Sequence, residues 1–404
     1  ERLDKLRAAC PNILFQMLLR ASNAVGYTNY PDNVVRFFIK QACEHGMDIF
    51  RVFDSLNWVE NMRVAMDAVV EHGGICEGAI CYTSDIFDAK RSKYNLKYYV
   101  DMAKQLEKAG AHIIGIKDMA GLARPRAITA LVTALKQEVG LPIHFHTHDT
   151  SGGSIASVYA AVQAGIDAVD GALDSMSGLT SQPSLGALVA MLEGSERSPG
   201  FDAQRLQPIS RYWEGVRPFY APFEPEIRSG TSDVYRHEMP GGQYTNLREQ
   251  ARSMGLEHRW SEIAQAYADV NLLFGDIVKV TPSSKVVGDM ALVMVANDLK
   301  PEDVANPARE IAFPESVVQM FRGEMGYPAD GFPKPLQERI LKGKTPIEGR
   351  VGAQLESVDL EAARAKAEKA VGRHVSDTDL ASYLMYPKVF VDYAAHHSHY
   401  GDVS

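Results

Sequence analysis

One stretch in the first half of the chain decides the fold: AHIIGIKDMAGLARPRAITALVTALKQEVGLPIHFHTHD, residues 111–149. It begins and ends with short apolar runs, AHIIGIKD (111–118) and LPIHFHTHD (141–149), which a longer segment separates. Such runs start roughly every 25–35 residues, and the other four are found at 12–19, 47–54, 77–83 and 166–173. Short apolar runs that alternate with longer amphipathic segments predict a parallel sheet covered by helices.

The regular alternation favours a TIM-type (β/α)8 barrel over an open doubly wound sheet. No GxGxxG or GxxxxGK[ST] motif follows any run, as a nucleotide-binding doubly wound fold would require. Polar residues instead collect at the carboxyl ends of the runs, where a barrel builds its active site. They are Arg20, Asp54, Lys117, Asp118, His146 and His148.

The sequence contains fewer predicted strands than the eight that a complete barrel needs. We expect a seventh strand in SDVYRHEM (232–239), which gives seven and not eight. The chain opens on the helix-like ERLDKLRAA (1–9), the element that would follow a first strand. We therefore expect the first strand of the barrel to be missing from this chain.

The pattern changes after about residue 245, where helical segments are linked by Pro/Gly turns. We predict three regions, beginning with a barrel at 1–245. An all-helical C-terminal domain follows, with 246–345 completing the mouth of the active site and 346–404 as its helical extension.

Composition excludes several classes of protein. The 404 residues are 46% hydrophobic and 23% charged, with a formal net charge of −9 and no basic tract, so nucleic acid is not an expected partner. The sequence contains no run of 18 apolar residues, so it predicts no membrane-spanning helix. The four cysteines form no CxxC pair, which favours reduced thiols in a cytoplasmic protein.

Three histidines, His144, His146 and His148, alternate along the run 141–149. On a strand their side chains share one face, and two imidazoles near its end are close enough to bind one cation. We expect His146 and His148 to be metal ligands. His144 lies deeper in the strand, so we expect it in the core or behind the ligands.

Further ligands should come from the neighbouring strand end. Lys117 lies one βα unit before His146, but an ammonium group cannot bind a cation unless it is converted to a carbamate. From the residues alone, Lys117 would rather extend to solvent or pair with a carboxylate. Asp118 and Asp54 are the more orthodox carboxylate candidates.

Two other segments carry candidate binding groups. Arg20 suits a planar carboxylate, with a surface salt bridge as the alternative, and Tyr27 could line the mouth. In VTPSSK (280–285), hydroxyl groups stand where a strand-like run turns into a helix. Hydroxyl groups at such positions are usually N-caps, so the residues alone favour a structural role for this segment.

Several long motifs resemble one family in order along nearly the whole chain. They include GIKDMAGL, HFHTHDTSG, DSMSGLTSQPS, HEMPGGQYTNL and VTPSSKVVGDMA. The chain resembles the biotin-dependent carboxyltransferase domains of pyruvate carboxylase. Oxaloacetate decarboxylase α subunits and transcarboxylase subunits share some of these motifs, but HTHDTSG and LTSQP are closer to the first family.

The resemblance implies roles that the residues alone do not. Lys117 is implied to be carboxylated and to bind the metal with His146 and His148. Thr281 is implied to shuttle a proton between pyruvate and biotin, which makes it catalytic. Arg20 is implied to hold pyruvate or oxaloacetate. Three residues are implied to bind biotin, namely Tyr27, Ser284 and Lys285.

The resemblance also implies cofactors and partners. The metal is zinc, manganese or cobalt, because two histidines and oxygen ligands suit all three. Biotin is expected in trans from a carrier domain or chain that works with a biotin carboxylase, in a homodimer or homotetramer. The family's fourth ligand is an aspartate on the first strand, which we expect to be missing, so an inactive truncated fragment stays open as an alternative. An oxaloacetate decarboxylase α-subunit type enzyme, which works in the reverse direction, is the other alternative.

Overall fold

The computed structural model describes residues 2–224 and 226–401. Its sheet is wholly parallel and its strands follow one another in chain order, as the staves of a barrel do. The strands are β1 (Gln16–Leu19), β2 (Ile49–Val52), β3 (Ile75–Cys81), β4 (Ile113–Asp118), β5 (Ile143–Thr147) and β6 (Ala168–Val169). Five lie wholly inside the predicted runs, and β3 begins two residues before its run at 77–83, so the strand predictions are confirmed with one shifted start.

Helices cover this sheet and then form the remainder of the chain. The first eight helices are α1 (Arg2–Ala9), α2 (Asp32–Glu44), α3 (Val59–Glu71), α4 (Leu96–Lys108), α5 (Pro125–Glu138), α6 (Ser154–Gln163), α7 (Leu185–Leu192) and α8 (Ala203–Val216). The later ones are α9 (Val234–His237), α10 (Gly241–Ser253), α11 (Trp260–Leu273), α12 (Ser283–Ala296), α13 (Pro301–Ala305), α14 (Glu315–Arg322), α15 (Lys334–Leu341), α16 (Val351–Gln354), α17 (Leu360–Val371), α18 (Asp377–Met385) and α19 (Pro387–Tyr400). The predicted change to an all-helical region is confirmed.

The seventh strand predicted at 232–239 is wrong. This segment forms the short helix α9, in which the Glu238 N–H donates to the Val234 carbonyl at 2.7 Å. Glu238 then adopts a left-handed conformation, with φ of 55°, that ends the helix. Local hydrogen bonds thus replace a strand ladder, and an apolar run this short does not distinguish the two structures.

Two large apolar cores hold the two halves. Phe50, Ile114 and Phe145 lie in the core between the sheet and its helices. Tyr267 and Phe321 belong to the core of the later helices. The domain boundaries at 245 and 345 stay a prediction. Residue 245 falls inside α10, and the Ile347 N–H donates to the Arg322 carbonyl across position 345.

The register between β4 and β5 sets the site. Lys117 pairs directly with His146, and Ile116 pairs with Phe145. Directly paired residues of parallel strands point to the same face, so the Lys117 and His146 side chains leave the sheet together. Both lie near the carboxyl ends of their strands, where a barrel places its chemistry.

Candidate active site

His146 and His148 approach each other through the same ring nitrogen. His146 Nδ1 donates to Asp170 Oδ2 at 2.7 Å, and His148 Nδ1 donates to the Thr180 carbonyl at 2.7 Å. Both protons are therefore on Nδ1, and each Nε2 carries a lone pair. The two Nε2 atoms lie 3.3 Å apart, too close for two lone pairs without a cation or proton between them.

This distance fits a shared metal ion. Two nitrogen ligands of a tetrahedral zinc, each about 2.0–2.1 Å from the metal, lie roughly 3.3 Å apart. Burial lowers the pKa of both rings, that of His148 to about 3, with help from the neighbouring charges of His146 and Lys117. Neutral imidazoles at physiological pH are the form that binds metals.

Lys117 supplies the third side chain at this position. It is buried, and its Nζ lies 4.9 Å from the centroid of the Phe53 ring. Burial, together with the positive charges of Arg51 and Arg20, lowers the pKa of Lys117 to about 8. A large fraction of neutral amine is therefore present near pH 8, and a neutral amine is the form that reacts with CO₂ to give a carbamate.

The two orthodox carboxylate candidates do not join the site. Asp118 accepts hydrogen bonds from the backbone N–H groups of Leu122 and Ala123, both at 2.9 Å. Asp54 accepts from the Leu56 and Trp58 N–H groups at 2.8 and 3.0 Å. Both carboxylates therefore hold the turns that follow their strands. Across residues 2–224 and 226–401, no group of three or more His, Cys, Asp or Glu is arranged to bind a metal.

A buried ionic cluster, which the sequence interpretation missed, lies next to His146 and contacts it through Asp170. His144 donates to Asp170 Oδ1 at 2.8 Å and to Glu77 Oε2 at 3.2 Å, while Arg51 bonds to Glu77 at 2.6 Å and to Asp170 at 2.8 Å. Despite burial, the hydrogen bonds to Asp170 and Glu77 raise the pKa of His144 to about 9.

The role predicted for His144, in the core or behind the ligands, fits this place in the cluster. Asp170 could have been found from its position, because it is an acidic residue within the sixth apolar run, 166–173, and directly follows strand β6. Despite burial, the hydrogen bonds from His144 and His146 lower the pKa of Asp170, which keeps it a carboxylate.

Arg20 and Tyr27 come together after β1. The Arg20 guanidinium carbon lies 5.3 Å from the centroid of the Tyr27 ring, and Arg20 Nη1 donates to the Val25 carbonyl at 3.0 Å. Arg20 Nε is buried and has no hydrogen-bond partner among the described residues. An unsatisfied guanidinium nitrogen beside an exposed aromatic ring suits a small anionic ligand.

The segment 279–285 from the helical half docks on the strand ends of the barrel. Ser283 Oγ donates to the Ser55 carbonyl at 3.0 Å, and Lys279 Nζ donates to Thr83 Oγ1 at 3.1 Å. These contacts hold Thr281 against the loops after β2 and β3. The N-cap role that the residues favoured is wrong, since α12 has no side-chain cap.

The two residues after this docking point differ in their partners. Ser284 is fully buried, and its Oγ has no partner among the described residues. Lys285 is half-exposed and pairs with Asp289 at 2.7 Å. Ser284 therefore has an unused donor for a ligand, whereas Lys285 would have to leave its ion pair to reach one.

Ion pairs also connect the segment 279–285 to the barrel. Lys279 pairs with Glu238 at 3.0 Å, and Arg91 reaches both Glu238 at 3.0 Å and Asp276 at 2.6 Å. Despite burial, the charges of Lys279 and Arg91 lower the pKa of Glu238. The network joins the loop after β3 to the residues that precede Thr281.

Comparison with known proteins identifies the family. A family model described as HMGL-like matches residues 43–212, and one described as a conserved carboxylase domain matches 234–404. The carboxyl transferase domain of Rhizobium etli pyruvate carboxylase is 60% identical, with a TM-score of 0.98 over all of this chain and 68% of that one. This chain belongs to the carboxyltransferase-domain family of pyruvate carboxylase. The family resemblance and the barrel-plus-helices fold class predicted from the sequence are confirmed.

The curated relatives are longer proteins. Pyruvate carboxylase of Bacillus subtilis is 53% identical over the whole chain, and the human mitochondrial enzyme is 50% identical over 97% of it. The chain spans about a third of their length, 35% and 34% respectively. Within the described ranges, no helix is both long and apolar enough to cross a bilayer, and Cys10, Cys43, Cys76 and Cys81 are free thiols.

His237, in the family motif HEMPGG, gives the fold a testable pH dependence. Its Nδ1 accepts a hydrogen bond from the Met239 N–H at 3.0 Å, and burial lowers its pKa to about 4 from 6.5. The unfolded chain therefore binds more protons between these values, so this contribution to stability is lost as the pH falls from about 6.5 to 4. We expect His237→Gln to flatten the pH dependence of urea unfolding over that window.

The control for this experiment is His374→Gln, because that side chain is 81% exposed. Equal slopes for wild type and His237→Gln would contradict the assignment.

Proposed function

We propose that this chain carries the carboxyl transfer step of a pyruvate carboxylase, moving the carboxyl group of carboxybiotin to pyruvate to give oxaloacetate. The observation that carries the proposal is the pair of Nε2 atoms of His146 and His148, 3.3 Å apart and in register with the buried Lys117. A solved relative with 60% identity was determined with pyruvate and biocytin, which supports the same ligands here.

We further propose the groups that hold the cofactors. Lys117 as a carbamate, His146 and His148 would hold a divalent ion, which is zinc, manganese or cobalt. The carbamate forms when Lys117 Nζ attacks the carbon of CO₂ and loses a proton. When bound, the ion would act as a Lewis acid that stabilises negative charge on the pyruvate oxygen.

In this proposal Arg20 binds the substrate and Thr281 transfers its proton. Arg20 binds the pyruvate carboxylate with its guanidinium fork and keeps the methyl group oriented. The N–CO₂ bond of carboxybiotin breaks, which releases CO₂ and leaves a basic ureido nitrogen. The Thr281 hydroxyl takes a methyl proton from pyruvate and gives its own proton to that nitrogen. A relay of this kind needs geometry rather than a shifted pKa, so a threonine can serve. The resulting enolate attacks the released CO₂, and the new C–C bond gives oxaloacetate.

Three residues are proposed to position the biotin. Tyr27 offers an exposed ring beside Arg20, and the unpartnered Oγ of Ser284 can donate to the ureido oxygen. Lys285 can reach the same group after leaving Asp289. Biotin itself supplies the carboxyl group and then the basic nitrogen, and it would arrive on a carrier domain or chain that a biotin carboxylase charges.

The assembly and location belong to this proposal as well. We expect a homodimer or homotetramer in the cytoplasm, in which carrier and carboxylase domains or chains work with this one. The relatives at 47–53% identity over nearly all of the chain bear the name pyruvate carboxylase, which favours this function over a decarboxylase linked to a membrane pump.

The test is isotope exchange between labelled pyruvate and oxaloacetate in the full-length protein. We expect exchange that requires biotin and is blocked by avidin, because the carboxyl group must pass through the carrier. Exchange that continues in avidin, or no exchange in metal-loaded protein, would contradict the proposal.

A further inference from the structure

Asp170 lies just after β6 and contacts three charged or polar groups at once. Its Oδ1 accepts from His144 Nε2 at 2.8 Å. Its Oδ2 accepts from Arg51 Nη1 at 2.8 Å and from His146 Nδ1 at 2.7 Å. The carboxylate can only accept, so the proton of His146 must lie on Nδ1.

The cluster holds Asp170 rigidly. The Arg51 and Glu77 side chains are 5% and 0% exposed, and they pair at 2.6 Å. Two carboxylates face one guanidinium and the His144 ring, whose two nitrogens both donate to carboxylates. The charges therefore balance, which is the condition under which buried ionic groups are tolerated. Because Arg51 and His144 both donate to the Asp170 carboxylate, it has little freedom to rotate.

The two imidazoles of the site are thus oriented by different means. His148 donates to a backbone carbonyl, that of Thr180, which no side-chain substitution removes. His146 depends on a side chain, and a carboxylate partner both fixes the ring and strengthens the opposite nitrogen as a donor to a metal. The sequence around His146 and His148 does not reveal this difference.

We infer that Asp170 is a positioning residue for His146. It fixes which ring nitrogen carries the proton and aims His146 Nε2 at the point shared with His148 and Lys117. The Arg51–Glu77–His144 cluster in turn fixes Asp170. The inference rests on the metal site proposed above, and it assigns Asp170 no contact with substrate.

The test compares two isosteric substitutions in the full-length, metal-depleted protein. Asp170→Asn removes a charge and weakens the acceptor of His146. Glu77→Gln removes a charge from the same cluster but contacts no part of His146. Zn²⁺ affinity is measured by competition titration, the Co²⁺ absorption spectrum reports ligand geometry, and urea unfolding reports stability.

We expect Asp170→Asn to weaken Zn²⁺ binding by about 10- to 100-fold and to change the Co²⁺ spectrum. Glu77→Gln should be destabilised but lose far less metal affinity than Asp170→Asn, because it leaves the carboxylate that accepts from His146 in place. If Asp170→Asn does not fold, the charge-balanced pair Asp170→Asn/His144→Gln replaces it, with Glu77→Gln/His144→Gln as its control.

Three results would overturn the inference, and they separate it from the proposed function. Wild-type affinity and spectrum in Asp170→Asn would show that His146 does not need this carboxylate. Equal weakening in Glu77→Gln would assign the effect to the cluster as a whole. Wild-type protein that binds neither Zn²⁺ nor Co²⁺ would overturn the proposed metal site together with this role.

Discussion

Replacing Thr281 by alanine is expected to slow carboxyl transfer by about 10²- to 10⁴-fold, the range that a positioned proton-transfer group contributes. The fold should be kept, because the neighbouring anchors Lys279 and Ser283 hold the segment through their own contacts with Thr83 and Ser55. The measurement is the rate of pyruvate–oxaloacetate exchange at saturating pyruvate in the full-length protein.

Thr281→Ser is the matched control, since it keeps the hydroxyl and removes only a methyl group. It should retain far more exchange activity than Thr281→Ala, while Zn²⁺ affinity stays the same in both. An alanine variant that exchanges at the wild-type rate would remove Thr281 from the mechanism. An equal loss in both variants would point to packing instead of proton transfer.

Replacing Lys117 by glutamine is expected to remove both metal binding and carboxyl transfer. Glutamine is of similar length but cannot form a carbamate, so the two imidazoles lose their anionic partner. The loss of Zn²⁺ affinity should exceed the 10- to 100-fold typical of groups behind the ligands, because Lys117 is proposed to touch the metal itself. Metal content after dialysis and the exchange rate measure the two effects.

Lys136→Gln provides the control for this substitution. Lys136 lies on α5 and forms a partly exposed ion pair with Asp167 at 2.8 Å, away from the site. It should bind metal and exchange like wild type. A Lys117→Gln protein that retains a full equivalent of tightly bound metal would contradict the proposed ligand set.

The sheet could be predicted because its signal is local and periodic. Strands buried on both faces need continuous apolar runs, and each run from 12–19 to 166–173 overlaps one strand. The strand prediction for 232–239 was wrong because the four central residues of this segment form a helical turn through local hydrogen bonds. A run that short carries no period long enough to separate helix from strand.

The candidate site could be predicted only in part. His146, His148 and Lys117 were found at strand ends, and the register of β4 and β5 brings two of them side by side. Asp118 and Asp54 have the chemistry of metal ligands, but their oxygens accept from backbone N–H groups of their own turns and, for Asp54, also from the Asn61 side chain. Sequence reveals which residue types are present, whereas their hydrogen-bond partners depend on the folded backbone.

Asp170 was missed for a related reason. Its importance comes from three partners on two strands, Arg51 on β2 and His144 and His146 on β5, while Asp170 itself follows β6. No motif of adjacent residues contains such a set. Only the folded sheet brings the arginine, the carboxylate and the histidines into one cluster.

The most direct test of the account is the electron density at the Lys117 amine in crystals of the full-length, metal-loaded protein. The account predicts a planar carbamate on Nζ, with one oxygen and the Nε2 atoms of His146 and His148 each about 2.0–2.2 Å from a single ion. A bare amine at Lys117, or an ion bound elsewhere while the two histidines keep other partners, would contradict it.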